Sequence, residues 1–145
     1  MITYVDTSVL LKLLVDDEVG ANAAQRLWLD SDFVVCAEIG YAEARAALAS
    51  ARRGGRLDAH GLSTAKAELE ALWTQVDVVP ITTELVIAAG DLAEEEGLRG
   101  YDAIHLAAAL AGQATVVATA DSQLLAAAQH HRLDVSNPLE PRENP

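Results

Sequence analysis

Met1-Ile-Thr-Tyr-Val5-Asp6-Thr7-Ser8 is an apolar run closed by an acid and two hydroxyl residues, and the helical pattern Val-Leu-Leu-Lys-Leu-Leu follows at once. A short β-rich run leading straight into a helix is the opening of an α/β fold. The same grammar repeats along the chain. Residues 2–5, 32–36, 76–79, 115–118 and 133–135 read as strands. Residues 8–15, 19–30, 37–53, 58–75, 82–96, 101–111 and 122–131 read as helices, with a break around the acidic residues 16–18. Gly54-Gly55 ends the third helix, because glycine readily takes the left-handed conformation of a helix terminus. Strands separated by helices imply a mostly parallel sheet covered on both faces.

At 145 residues, with 51% hydrophobic and 22% charged content, one soluble domain with a substantial core is expected. The domain is expected over residues 1–135, and the tail 136–145, with three of the four prolines, is expected to be flexible. No stretch approaches the roughly 20 apolar residues of a membrane span, and the N-terminus lacks the basic region of a signal peptide. The single cysteine, Cys36, fits a reducing cytoplasm and reads as a small buried residue. A net charge of −12 argues against broad electrostatic binding of nucleic acid, although a metal ion can supply positive charge locally. Arg45, Arg52, Arg53 and Arg56 read as an ordinary solvated helix end.

Four acids stand where acids are costly. Asp6 and Asp121 each follow a strand, where sites form in open α/β sheets. Asp102 opens the helical stretch Tyr101-Asp-Ala-Ile-His-Leu-Ala. Glu43 lies mid-helix, and at about 100° per residue it points away from the stripe Glu38, Arg45, Arg52, on the side of Ile39 and Ala46. Taken singly, each aspartate is well explained as a helix cap or first-turn acid. Glu43 fits capping badly, and its bland alternative is an ion pair with a distant arginine. No Lys or Arg adjoins Asp6, Asp102 or Asp121 in sequence, so a cluster of all four calls for positive charge from outside the chain, most economically a divalent metal ion. His105, one turn beyond Asp102, reads as a packed core group. His130-His131 reads as structural at a helix end, and the acids at 94–96 as a solvated helix end.

Val5-Asp-Thr-Ser-Val-Leu, Ala42-Glu-Ala-Arg, Tyr101-Asp-Ala-Ile-His-Leu-Ala and Thr119-Ala-Asp, in this order, resemble the motifs of PIN-domain proteins of the VapC toxin type. The resemblance covers nearly all of the chain outside the proline-rich tail. It implies a PIN-like (Rossmann-like) three-layer α/β fold with about five parallel strands, and a metal-dependent endoribonuclease. It implies that Asp6, Glu43, Asp102 and Asp121 form the catalytic, metal-binding cluster, the first and third being the surest ligands of Mg²⁺ or Mn²⁺. Thr7 and Ser8 resemble positions that steady the first turn, and Thr119 one that braces the site. The implied partners are an RNA substrate, a VapB-like antitoxin and a second copy in a homodimer.

Two other acidic α/β sites lack required residues. A haloacid-dehalogenase-type phosphatase needs an aspartate where Ser8 stands, and a receiver domain needs a late lysine, whereas the only lysines are Lys12 and Lys66. A catalytically inactive PIN-like module whose acidic pocket captures a basic peptide is the remaining alternative.

Overall fold

The computed structural model of the chain describes residues 1–15 and 19–140; the acidic break at 16–18 and the tail residues 141–145 lie outside the described residues. The elements run β1 (Ile2–Val5), α1 (Thr7–Leu14), α2 (Ala21–Asp30), β2 (Phe33–Ala37), α3 (Ile39–Arg53), α4 (Ala59–Trp73), β3 (Val76–Val79), α5 (Thr83–Glu96), α6 (Gly100–Ala111), β4 (Val116–Ala118), α7 (Ser122–His130) and β5 (Asp134–Ser136). Every expected element is present, most with ends moved by one or two residues. Ser136, expected in the tail, closes β5 beside Ala118. Of the two glycines after α3, Gly54 keeps a helical backbone and Gly55 takes the left-handed turn, at φ 81°.

The five strands form one parallel sheet in the order β3-β2-β1-β4-β5. β1 is central, with Tyr4 opposite both Val35 and Val117, and Val5 opposite Ala118. Period-two alternation splits the core into two layers. Tyr4, Val35, Ala37 and Val117 pack against α5, α6 and α7, whereas Val5, Val34, Cys36 and Ala118 pack against α1 to α4. Fully burying a side chain such as Leu48 or Leu106 contributes about 1.5–3 kcal/mol, and both are completely buried.

Side chains set the helix starts. Asp6 caps α1 through Val9 N–H, Asp58 caps α4 through Gly61 N–H, Thr82 caps α5 through Leu85 N–H, and Asp121 caps α7 through Gln123 and Leu124 N–H. The buried stripe of α3 is Gly40, Ala44, Leu48 and Ala51. This corrects the expected faces: Ala46 is exposed, and Arg45 is half-buried because its guanidinium folds over the Tyr41 ring, 5.8 Å from the centroid. Glu43 sits on the flank of the buried stripe, half-covered. At the far end of α5, Glu96 accepts hydrogen bonds from His130 Nδ1 (2.7 Å) and His131 Nε2 (3.3 Å), tying α5 to α7 rather than standing free in solvent.

Candidate active site

The central position of β1 brings the first acid against the last motif. Asp6 N–H donates to Ala118 O at 3.2 Å, carrying the β1–β4 ladder one step past the strand ends. Asp6 is buried, and hydroxyls hold it from both sides. Ser8 Oγ donates to Oδ1 at 2.5 Å, Val9 N–H to the same oxygen at 3.3 Å, and Thr119 Oγ1 donates to Oδ2. Burial pushes the Asp6 carboxyl above its ordinary value, against the hydrogen bonds from Ser8 and Thr119. Ser8 also reaches across to the opposite loop, where its Oγ accepts from Ala120 N–H (3.1 Å), and Thr119 Oγ1 accepts from Asp121 N–H within its own loop (3.0 Å).

Asp121 spends Oδ1 on capping α7 and presents Oδ2 to Arg99 Nη2 at 4.0 Å. Arg99 Nε lies 3.3 Å from Asp102 Oδ2, three residues further along and in the first turn of α6. One exposed guanidinium thus stands over two of the four acids. The charge relief that sequence adjacency placed outside the chain is partly internal, because a helical turn brings position 99 alongside position 102.

Glu43 completes the group. Its Oε1 accepts from Thr7 Oγ1 (3.1 Å) and from His105 Nε2 (2.7 Å), so its partner is a histidine and not an arginine. Burial alone would raise this carboxyl, but the His105 hydrogen bond, with Thr7, outweighs burial and holds it below its ordinary value. His105 is the residue that sequence reading undervalued. It is buried, as expected of a core group, yet both ring nitrogens are engaged by side chains, Nδ1 meeting Tyr4 Oη at 2.5 Å. Its spacing of three from Asp102 was the available signal, since that puts both on one face of α6.

All four sequence-singled acids therefore belong to one circuit. Glu43 bonds Thr7, Thr7 adjoins Asp6, Asp6 bonds Thr119, and Thr119 bonds Asp121. Asp121 faces Arg99, Arg99 pairs with Asp102, and one turn along α6 His105 returns to Glu43. The circuit lies at the carboxyl ends of β1 and β4, where the chain order of the sheet reverses direction. Among the described residues, no three His, Cys, Asp or Glu side chains converge closely enough to enclose a metal ion unaided.

Residues 3–130 match the PIN-domain family. Two relatives from strains of Mycobacterium tuberculosis, Ribonuclease VapC45 and Ribonuclease VapC49, are each 39% identical over 110 residues, 76% of this chain and 76% of theirs. Among solved structures, FitAcB from Neisseria gonorrhoeae aligns with a TM-score of 0.71 at 23% identity, over 97% of this chain and 100% of that one. The Mycobacterium tuberculosis toxin VapC20, described as cleaving the sarcin-ricin loop, aligns with a TM-score of 0.66 at 22% identity, over 86% and 94%. The toxin–antitoxin complex from Klebsiella pneumoniae aligns with a TM-score of 0.66 at 19% identity, over 94% and 97%. At those identities the structures speak for a shared fold.

Proposed function

We propose, for a chain that belongs to the PIN-domain family, a metal-dependent endoribonuclease that hydrolyses RNA phosphodiester bonds as the toxin half of a VapBC-type pair. The observation that carries this reading is the circuit of contacts that joins Asp6, Glu43, Asp102 and Asp121 beyond the carboxyl ends of β1 and β4. The donor set fits Mg²⁺ or Mn²⁺, since every group offered is a hard carboxylate oxygen. The exposed Arg99 side chain already places positive charge against Asp102 and Asp121. Asp6 and Asp102 would hold the ion directly, and Glu43 and Asp121 would orient waters or hold a second ion that arrives with substrate. A bound ion supplies a more acidic water and neutralises charge developing on the phosphoryl oxygens.

The chain's own residues do the rest. Ser8 and Thr119 fix Asp6 from both sides, and Thr7 fixes Glu43. Arg99, at the rim, has the planar fork suited to a phosphate once Asp102 and Asp121 are otherwise engaged. The partners in this reading are RNA, a VapB-like antitoxin and a second copy of the chain, and the setting is the cytoplasm. An apolar groove lined by Leu13, Trp28, Leu29 and Leu72 supports docking of an amphipathic antitoxin segment. Exposed Val86 and Ile87 on α5 support a homodimer. No described helix is long and apolar enough to cross a membrane.

RNA cleavage is expected to require Mg²⁺ or Mn²⁺ and to stop with EDTA; cleavage indifferent to EDTA would overturn the metal dependence. A metal-independent affinity for basic peptides, without cleavage, would favour the inactive binding module instead. At 100 times its Kd the ion stabilises the native state by about 2.7 kcal/mol, a rise in Tm of roughly 5–10 °C. Arg99→Ala is expected to lower the metal-free Tm slightly and to enlarge the metal-induced rise, because the ion then relieves more repulsion. A smaller metal-induced rise in that variant would show that Arg99 does not compete for the same charges.

A further inference from the structure

We propose that His105 is a positioning residue for Glu43: held by Tyr4 as the Nε2–H tautomer, it occupies Glu43 Oε1 and leaves Oε2 as the oxygen that reaches solvent. The proposal rests on the ribonuclease reading of the site. It starts at a buried backbone group. Ala37 N–H donates to Tyr4 Oη at 3.2 Å, which uses the phenol oxygen as an acceptor. The phenol still has one proton to donate. That proton points to His105 Nδ1, 2.5 Å away, and a nitrogen that accepts carries no hydrogen of its own. With Nδ1 as acceptor, the ring proton is on Nε2, aimed at Glu43 Oε1. A phenol oxygen could also accept from Nδ1–H, but the other tautomer would set the Nε2 lone pair against the carboxylate oxygen 2.7 Å away, and that end selects Nε2–H.

The second donor to Oε1 is Thr7 Oγ1, so both lone pairs of that oxygen are used. Oε2 has no hydrogen bond among the described residues, and no buried side-chain oxygen there lacks a partner, so Oε2 reaches solvent. A glutamate on a long side chain would otherwise rotate freely about its last bond. The chain Ala37, Tyr4, His105, Glu43 ties that rotation to the sheet itself. It also crosses the layers: Tyr4 and His105 belong to the α5–α7 side, and Glu43 rises from α3 on the other.

Three variants separate positioning from packing. His105→Gln keeps a nitrogen donor near the Nε2 position, His105→Leu keeps volume without a donor, and Tyr4→Phe removes only the hydroxyl that selects the tautomer. His105→Leu is expected to lower kcat about 10–100-fold, with KM for RNA little changed, and to raise the half-saturating Mn²⁺ concentration. His105→Gln is expected to recover most of both, and Tyr4→Phe to lose only a few-fold. Equal losses in the Leu and Gln variants would reduce His105 to a packing residue. Nitrogen NMR of the metal-free protein gives a readout independent of catalysis: Nε2–H in the parent chain, and a mixture of tautomers in Tyr4→Phe. Nδ1–H in the parent would overturn the proposal even where the Leu variant does not fold. A parent chain that fails to cleave RNA with metal present sinks the ribonuclease reading alone, because the NMR result still decides the hydrogen-bond chain.

Discussion

Asp6→Asn and Asp102→Asn are each expected to give a folded protein that cleaves RNA at least about 100-fold more slowly than the parent chain. Replacing a group that only orients a metal ligand costs 10–100-fold in many sites, so removing a ligand's charge sets a larger floor. Folding survives because asparagine is a competent cap: Asn at position 6 still offers an oxygen to Val9 N–H. The Thr119 hydroxyl must turn away from the new amide, a local adjustment. Asp102 caps nothing and loses only its pairing with Arg99, whose side chain is 80% exposed, so its neutralisation costs little stability. Burial orders the four acids. Asp6 is buried and the Asp102 side chain is 16% exposed, whereas those of Glu43 and Asp121 are 29% and 32% exposed. Water replaces a solvated carboxylate more easily, so Glu43→Gln and Asp121→Asn are expected to lose less. Single-turnover cleavage beside thermal melts measures both quantities. A folded Asp6→Asn or Asp102→Asn protein with parental activity would remove that residue from the metal-holding pair.

Gly40→Ala is expected to destabilise the fold by about 1–3 kcal/mol and to slow cleavage, although alanine is the better helix former. A Cβ at position 40 would stand 2.5 Å from Cys36 Sγ, closer than side chains pack. Cys36 is fully buried one residue before the end of β2, and the Trp73 ring closes the other side at 3.7 Å, so the strain passes to α3. Glu43 is one turn further along that helix, and its bonds to Thr7 and His105 leave little room for displacement. Cys36→Ala removes the clashing sulfur and is expected to restore both stability and cleavage to Gly40→Ala. Urea unfolding of the two single variants and the double gives the coupling directly. A double variant no better than Gly40→Ala would show that the close approach is not what position 40 controls.

Much of the fold was legible because strand and helix periods alternate cleanly and three of the four acids lie at element boundaries. Asp6 and Asp121 were legible for the same reason, since the end of a parallel strand is a place as well as a sequence position, and the Thr119 brace was legible through the family resemblance. Arg99 and His105 were not. Arg99 is exposed, and exposed arginines are common, so only the turn of α6 reveals that it faces two acids. His105 lies among Ile104 and Leu106 in an apolar stretch, which is also how a core histidine looks. Its meaning depends on Tyr4 and Glu43, separated from it by 101 and 62 residues. The faces of α3 were misread because alanines give a weak stripe and an arginine can fold over an aromatic ring.

The first of the described strands is the one at the middle of the sheet. While a ribosome is still extending the chain, β1 can pair with β2, but Asp6 has no Thr119 to hold it, and Arg99 has no Asp121 to face. The contact between Asp6 and Thr119 spans 113 positions. A nascent chain stopped short of β4 therefore carries three of the acids and no assembled centre. The four acids come together only when sequence from both ends of the domain is in place.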